Sequence, residues 1–413
     1  MNTAKGKRPF YSRQQIQILF TCAMVFGAMA GMIVNCNGQF YRSIADALGV
    51  TVGQVTVSTA IMGVVSFFAT TFVVKLYSAK NPRLVAAALI LSFCLAHMST
   101  AFVTQLWQYY LISAIRGVSY GFLIYYFNSS TIKSWFGDHA GVALSISALM
   151  SGVIGIIFNL VIGIMIERIG WRASIAITSV LAAAMALPGV LLFLNRAPDT
   201  SAPPTRSESA ASTNNAGKAS PTFKITYDST FFLGLILCIL WIFSGVYNQH
   251  LKVHALSKGC TQMFSASLIS VAMAGNLTSK LVFGSLSDRI GPVKTAISNA
   301  GVIIAALFLL ILPGGNASLA AGAFLIGAGN AFATIIIPQV VSYVYQGGRF
   351  SAVYSKYSMF FAITGNLWSS AMGSIYSATG SYTPVFSAGI GLVLISLLIL
   401  PLFLSGRKGI SAT

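Results

Sequence analysis

Twelve mostly apolar stretches recur along the chain, each near the ~20 residues that an α-helix needs to cross the hydrocarbon core of a bilayer. They centre near residues 26, 63, 92, 117, 153, 183, 240, 272, 302, 329, 363 and 393. A water-soluble fold has nowhere to put them. Of 413 residues, 56% are hydrophobic and 8% charged, so much of the apolar surface would face water. With the bilayer as solvent, backbone groups must be bonded internally, which leaves helices or a closed barrel. Barrel strands read as ~10-residue alternating segments, whereas these runs are longer and continuously apolar. The expectation is an all-α membrane protein with twelve transmembrane helices.

The net charge is +18, from 25 Lys and Arg against 7 Asp and Glu. Such an excess can serve nucleic-acid binding, but its placement points to the membrane. With a cytoplasmic N-terminus, eighteen basic residues fall in inward segments, and five, Arg42, Arg168, Arg172, Lys252 and Lys258, in outward ones. That bias is a positive-inside pattern: it places both termini in the cytoplasm and accounts for the charge without nucleic acid. Arg116 and Lys280 complete the 25, and both lie within apolar runs. The basic leader, first apolar run and "AMAG" at Ala28 to Gly31 also fit a cleavable signal peptide. Removing it would leave an odd number of helices. The five cysteines, Cys22, Cys36, Cys94, Cys238 and Cys260, show neither paired nor metal-type spacing, so no disulfide framework, metal site or cofactor is expected.

Between Asn195 and Ser229 the composition turns to Ser, Ala, Pro and Thr with scattered charge, as in "APDTSAPPTRSESAASTNNAGKASP". This reads as a flexible cytoplasmic linker, residues 195–229, between six-helix bundles at 1–194 and 230–413. The halves also resemble each other. A shift of 210 residues lays "IRGVSYGFLIYY" from Ile115 on "LIGAGNAFATII" from Leu325, and pairs Gly117 with Gly327, Gly155 with Gly365, Gly163 with Gly373 and Gly170 with Gly380. Parallel repeats facing each other across a midplane site are a transporter architecture.

"GSLSDRIGPVK", Gly284 to Lys294, falls where a cytoplasmic turn is expected between helices 8 and 9. Gly284 and Gly291 suit a tight turn, and Asp288 can cap a neighbouring helix. This stretch resembles the G-x-L-x-D-R-x-G-x-x-K/R loop signature of the major facilitator superfamily, and "AIRGVSYG" around Arg116 is similar to that superfamily's second signature. The resemblance implies two pseudo-symmetric six-helix bundles and a gate in which Asp288, with Arg289 and Gly284, latches near Gly141 at the cytoplasmic end of helix 5. The first-half counterpart, "TTFVVKLYSAKNPR", has Lys75 where the aspartate would stand. "GSIYSATGSYTPVF" and "NGQFYRSIADALGVTVGQVT" narrow the resemblance to the monocarboxylate porter and oxalate:formate antiporter group. That group carries a basic residue in helix 8 four positions before the loop-signature glycine, here Lys280. Asn276 stands where animal-type members place an aspartate, and Thr364 where oxalate-specific members have a lysine.

All seven acidic residues fall in or beside loops, so no membrane-centre carboxylate can neutralise Lys280 or Arg116. An intramembrane charge is costly and ordinarily has a partner or a wet cavity. The missing partner is expected to be an anionic substrate, although Lys280 could instead snorkel and Arg116 could bond backbone carbonyls. Asn37, Tyr120, Asn248, Asn276, Asn330, Thr364 and Asn366 would orient that substrate, or else link helices. Trp368 lies at similar depth. His97 reads as a packing residue, and His250 and His254 as residues of a wet outer face. No nucleotide-binding loop or catalytic set appears, so enzymatic activity is not expected. The reading is a secondary transporter of a mono- or dicarboxylate in the cell inner membrane, working by alternating access with protons or a counter-anion as partner. An exporter of hydrophobic or aromatic compounds is the alternative, and a transporter-like sensor a third.

Overall fold

The computed structural model of the protein describes residues 12–79, 81–136, 140–194, 227–243, 245–346 and 348–410. Twelve long helical spans are seen among them, besides the short helix Tyr41–Leu48. These are α1 (Arg13–Gln39), α2 (Val52–Ala79), α3 (Pro82–Phe102), α4 (106–136), α5 (140–169), α6 (171–193), α7 (Ser229–Ser257), α8 (Gln262–Ile290), α9 (Pro292–Ile311), α10 (Gly315–Val344), α11 (Gly348–Thr379) and α12 (Thr383–Ile410). Nine stretches are long and apolar enough to cross a membrane, one of them containing both α5 and α6. With α4 and α11 they make up the expected twelve. The face at which α1 begins and α12 ends is called proximal below, and the opposite face distal. Of the residues expected to link the bundles, 195–229, those at 195–226 lie outside the described ones, while Asp228 and Ser229 already belong to the start of α7.

Local chemistry sets the helix ends. Ser12 and Gln15 form a reciprocal capping box at the start of α1, Asn81 caps α3 ahead of Pro82, and Asp228 Oδ1 accepts 2.9 Å from Phe231 N at the start of α7. Each satisfies backbone donors that a helix start leaves unpaired. Gly170 (φ 80°) breaks the chain between α5 and α6, and Gly291 (φ 84°) does so between α8 and α9. Only glycine takes such angles freely.

The loop expected at Gly284 to Lys294 is therefore narrower than the sequence suggested. Gly284 through Ile290 continue α8, the turn is confined to Gly291, and Pro292 opens α9. Nothing before Gly291 forces the helix to stop, because an interior glycine costs only about 1 kcal/mol. A Cβ on Gly284 would meet only Ile335 Cδ1 at 4.0 Å, in contrast to the positive φ of Gly291. Gly284→Ala is expected to leave thermal stability unchanged or slightly raised. Gly291→Ala is expected to lower it by about 1–2 kcal/mol, read by unfolding the purified protein in detergent.

The internal repeat extends to conformation. A π-helical turn spans Phe122–Tyr126 in α4, and another spans Phe332–Ile336 in α10, positions that the 210-residue shift superimposes. The paired glycines serve matching contacts. Gly117 packs α4 on the α2 backbone at Met62, while Gly327 packs α10 on the α8 backbone at Ala272. Gly163 meets Ala266 of the other half, and Gly373 meets Thr56 of the other half. Small residues at these crossings let backbones approach where lipid supplies no hydrophobic drive between helices.

One buried core lies within the first half, around Phe93, Phe122 and Phe127. A second fills the other half and takes in Phe40, Tyr41, Val52, Val55 and Tyr109 from the distal end of the first. Apolar packing therefore joins the halves at the distal face.

Candidate functional site

Hydrogen bonds between the halves, among the described residues, follow the same distribution. Gly53 N donates 2.7 Å to Ser377 Oγ, Thr59 Oγ1 donates 3.2 Å to the Asn366 carbonyl, and Tyr41 Oη donates 2.8 Å to Gln249 Oε1. Gln39, fully buried at the end of α1, donates from Nε2 to the Ala266 carbonyl of α8 and to Asn159 of α5. Its own carbonyl accepts 2.7 Å from Lys252 Nζ of α7. Ser270 Oγ donates 2.8 Å to the Ile156 carbonyl. These bonds tie α2 to α11, α1 to α7 and α5 to α8, and close the distal face.

Gly38 sits at the tightest point of this seal. A Cβ there would overlap the Gln249 carbonyl, which has little freedom to yield. Gly38→Ala is expected to part the halves at the distal face and raise the reactivity of a buried Thr56→Cys probe about tenfold. Maleimide labelling of the purified protein measures this, the shift corresponding to ~1.4 kcal/mol.

Beneath the seal lies Arg116. It is 4% exposed, its guanidinium carbon stands 5.2 Å above the Phe93 ring, and its Nε and Nη2 have no hydrogen-bond partner among the described residues. Tyr41, Tyr109, Tyr120, Cys94 and His97 lie within electrostatic reach of it. Tyr120 packs edge-on against Tyr125 with ring centroids 5.9 Å apart, and its hydroxyl interacts with Asn366 across the two halves. A guanidinium with unspent donors ringed by phenols is suited to a carboxylate or another planar anion.

Lys280 is half-buried on α8. Asn276, one turn earlier, is 9% exposed with Oδ1 unbonded, where α8 crosses α10 at Gly327. Asn248 is 7% exposed, also with Oδ1 unbonded. Asn330 lies against Gly245 and leaves Nδ2 unbonded. Asn37 opens the 3₁₀ turn that ends α1, and Thr364 is half-buried on α11. The structure thus joins Arg116, Tyr120 and Asn366 in one neighbourhood, and the contacts drawn among the described residues bring neither Lys280 nor Thr364 into it. The ion pair among the described residues is Arg42 with Asp46, 2.9 Å apart in the short distal helix Tyr41–Leu48.

The sequence of this helical architecture matches the description "Major Facilitator Superfamily" over residues 19–369. The chain belongs to the major facilitator superfamily. A superfamily transporter of Gibberella moniliformis is 26% identical over 367 residues, covering 87% of this chain and 84% of the relative. The transporter pytF of Aspergillus terreus is 22% identical over 263 residues, covering 63% of this chain and 84% of the relative. Among solved structures, the nucleoside transporter NupG (D323A mutant) superposes with a TM-score of 0.73 at 12% identity, covering 95% of this chain and 100% of that one. That similarity is one of fold. As a member of this superfamily the protein is a multi-pass membrane transporter, not an enzyme.

Within the stretch Gly284 to Lys294, Asp288 and Arg289 are exposed in the last turn of α8. No hydrogen bond from Asp288 is seen among the described residues. Three sequence readings are corrected on the distal side. His250 and His254 are 0% and 2% exposed rather than on a wet face. His250 lies 2.9 Å from Tyr382 Oη and 3.1 Å from Ser369 Oγ, and His254 3.0 Å from the Leu310 carbonyl. Lys252, assigned to an outward segment for its charge, is 2% exposed. The reason is shared: α7 continues past its kink into the 3₁₀ turn Tyr247–His250 and the helix Leu251–Ser257, which fold into the seal. The sequence reading also missed Gln39, Tyr41, Tyr109, Asn159, Gln249 and Ser369. Gln39, directly after Gly38 at the end of α1, was the available signal.

Proposed function

We propose that this transporter carries a small organic anion, a mono- or dicarboxylate, by alternating access, as proton-coupled symport or anion exchange. The observation that supports this most is Arg116: a buried guanidinium with two unbonded nitrogens, beneath a closed gate, with no carboxylate paired to it among the described residues. Removing one partner of a buried pair is strongly destabilising, so a cation that lacks a protein partner favours a ligand that supplies one. Lys280 provides a second cation on α8, and Tyr120, Asn276, Asn248, Asn330 and Asn366 supply donors and acceptors that orient the cargo. Asn37 and Thr364 would complete this set.

In this reading the protein sits in a cell inner membrane, and the basic bias supports a cytoplasmic placement for the proximal face, both termini and residues 195–229. The distal seal is then the extracellular gate, and Asp288 with Arg289 acts at the cytoplasmic one. With no membrane-centre carboxylate in the sequence, the substrate's own carboxyl is the group that carries a proton in the symport version.

An exporter of hydrophobic or aromatic compounds is the second reading. A cavity of about 340 Å³ between α7, α11 and α12, lined by Phe243, Trp368, Met372, Val385 and Leu392, favours it. Competition binding to the purified protein separates the two. Displacement of a labelled short carboxylate by other short carboxylates supports the first, and displacement of a labelled lipophile by bulky lipophiles alone supports the second.

A further inference from the structure

Lys252 is an ammonium group buried in the distal seal. It is 2% exposed, and its Nζ donates 2.7 Å across the halves to the backbone carbonyl of Gln39. No ion pair to it is seen among the described residues. Its acceptor is fixed, because the Gln39 side chain is already tied to Asn159 and to the Ala266 carbonyl. When the halves part at the distal face, Lys252 loses this bond and regains water.

Two effects oppose each other. The charge-assisted bond to a carbonyl favours the closed seal. Taking an ammonium out of water disfavours it, and the penalty for a buried ion exceeds what one such bond returns unless several partners or an opposite charge compensate. The carbonyl of Gln39 is a single, neutral partner, so desolvation wins.

We propose that Lys252 acts as a spring in the distal gate. Its charge opposes closure and drives the carrier back to the distally open state, while the Gln39 carbonyl limits that push enough for the gate to shut. The role belongs to the alternating-access cycle itself and is independent of which substrate is carried. Lys252 is a positioning residue, acting through the packing of α7 against α1.

The test uses Thr56→Cys as a probe, since Thr56 is 0% exposed in the seal between α2 and α11. Cys260, half-buried, and the buried Cys22, Cys36, Cys94 and Cys238 are all replaced by serine. Maleimide labelling of the purified full chain is compared for Lys252, Lys252→Met, Lys252→Gln and Lys252→Arg. Removing the charge is expected to slow labelling by at least about threefold in both Met and Gln variants, because the closed population rises. Lys252→Arg keeps the charge and labels at the original rate or faster. Unchanged or faster labelling in monodisperse Lys252→Met or Lys252→Gln protein overturns the proposal, faster labelling identifying a latch instead.

Discussion

Replacing Lys280 by glutamine is expected to raise the KM for short carboxylates roughly 10- to 100-fold in proteoliposomes, the loss of one charge-assisted hydrogen bond of about 1.5–3 kcal/mol. Lys280 is half-buried on α8, and glutamine keeps its polarity and much of its length while removing the charge. Lys280→Arg retains the charge and is expected to lose less. If Lys280 only snorkels towards the proximal face, uptake at subsaturating substrate stays at the original level in Lys280→Gln. That outcome would remove Lys280 from the site while leaving Arg116 in it.

Gly275→Val is expected to cost the largest share of stability of any single change considered. A Cβ on Gly275 would overlap the Phe324 carbonyl, and a Cβ on Gly327 would overlap the Ala272 carbonyl and crowd Asn276 N. Both partners are backbone of packed helices, so neither α8 nor α10 can yield without moving as a whole. Overpacking of this kind costs about 3 kcal/mol or more. Gly301→Ala is the control: nothing lies within 4 Å of its Cβ position, and an exposed helical glycine replaced by alanine gains up to ~1 kcal/mol. Thermal unfolding of detergent-purified variants, followed by size exclusion, measures both. Equal melting temperatures for Gly275→Val and Gly301→Ala would contradict the close α8–α10 crossing.

Much of the fold is legible because the bilayer constrains it so heavily. Each span had to be long and apolar, so twelve runs translated directly into α1–α12. The repeat was legible through glycines because their contacts admit no Cβ, as at Gly117 against α2 and Gly327 against α8. The π turns at Phe122–Tyr126 and Phe332–Ile336 left no such mark. A π turn is a one-residue change in hydrogen-bond register, and no residue type is required for it.

Of the candidate neighbourhood, Arg116, Tyr120 and Asn366 were legible in the sequence, while Lys280 is not joined to them by the contacts drawn among the described residues. Arg116 and Lys280 stood out because an intramembrane cation is expensive wherever it occurs. Tyr41, Tyr109 and Ser369 did not, since phenols and hydroxyls are ordinary in membrane helices and their partners are set by tertiary contact. Lys252 was misplaced for a further reason. Positive-inside reasoning assigns a basic residue near a helix end to a loop, and it has no means of telling a solvated lysine from one whose helix folds back into a gate.

Counterflow in proteoliposomes tests the central claim most directly. Vesicles containing the purified transporter and loaded with an unlabelled short carboxylate are diluted into a trace of the labelled acid. Transient accumulation of label above equilibrium is expected, abolished by omitting the internal acid and reduced by Lys280→Gln and Arg116→Gln. No accumulation for any mono- or dicarboxylate in a broad panel, with accumulation of a labelled lipophile under the same conditions, would contradict it.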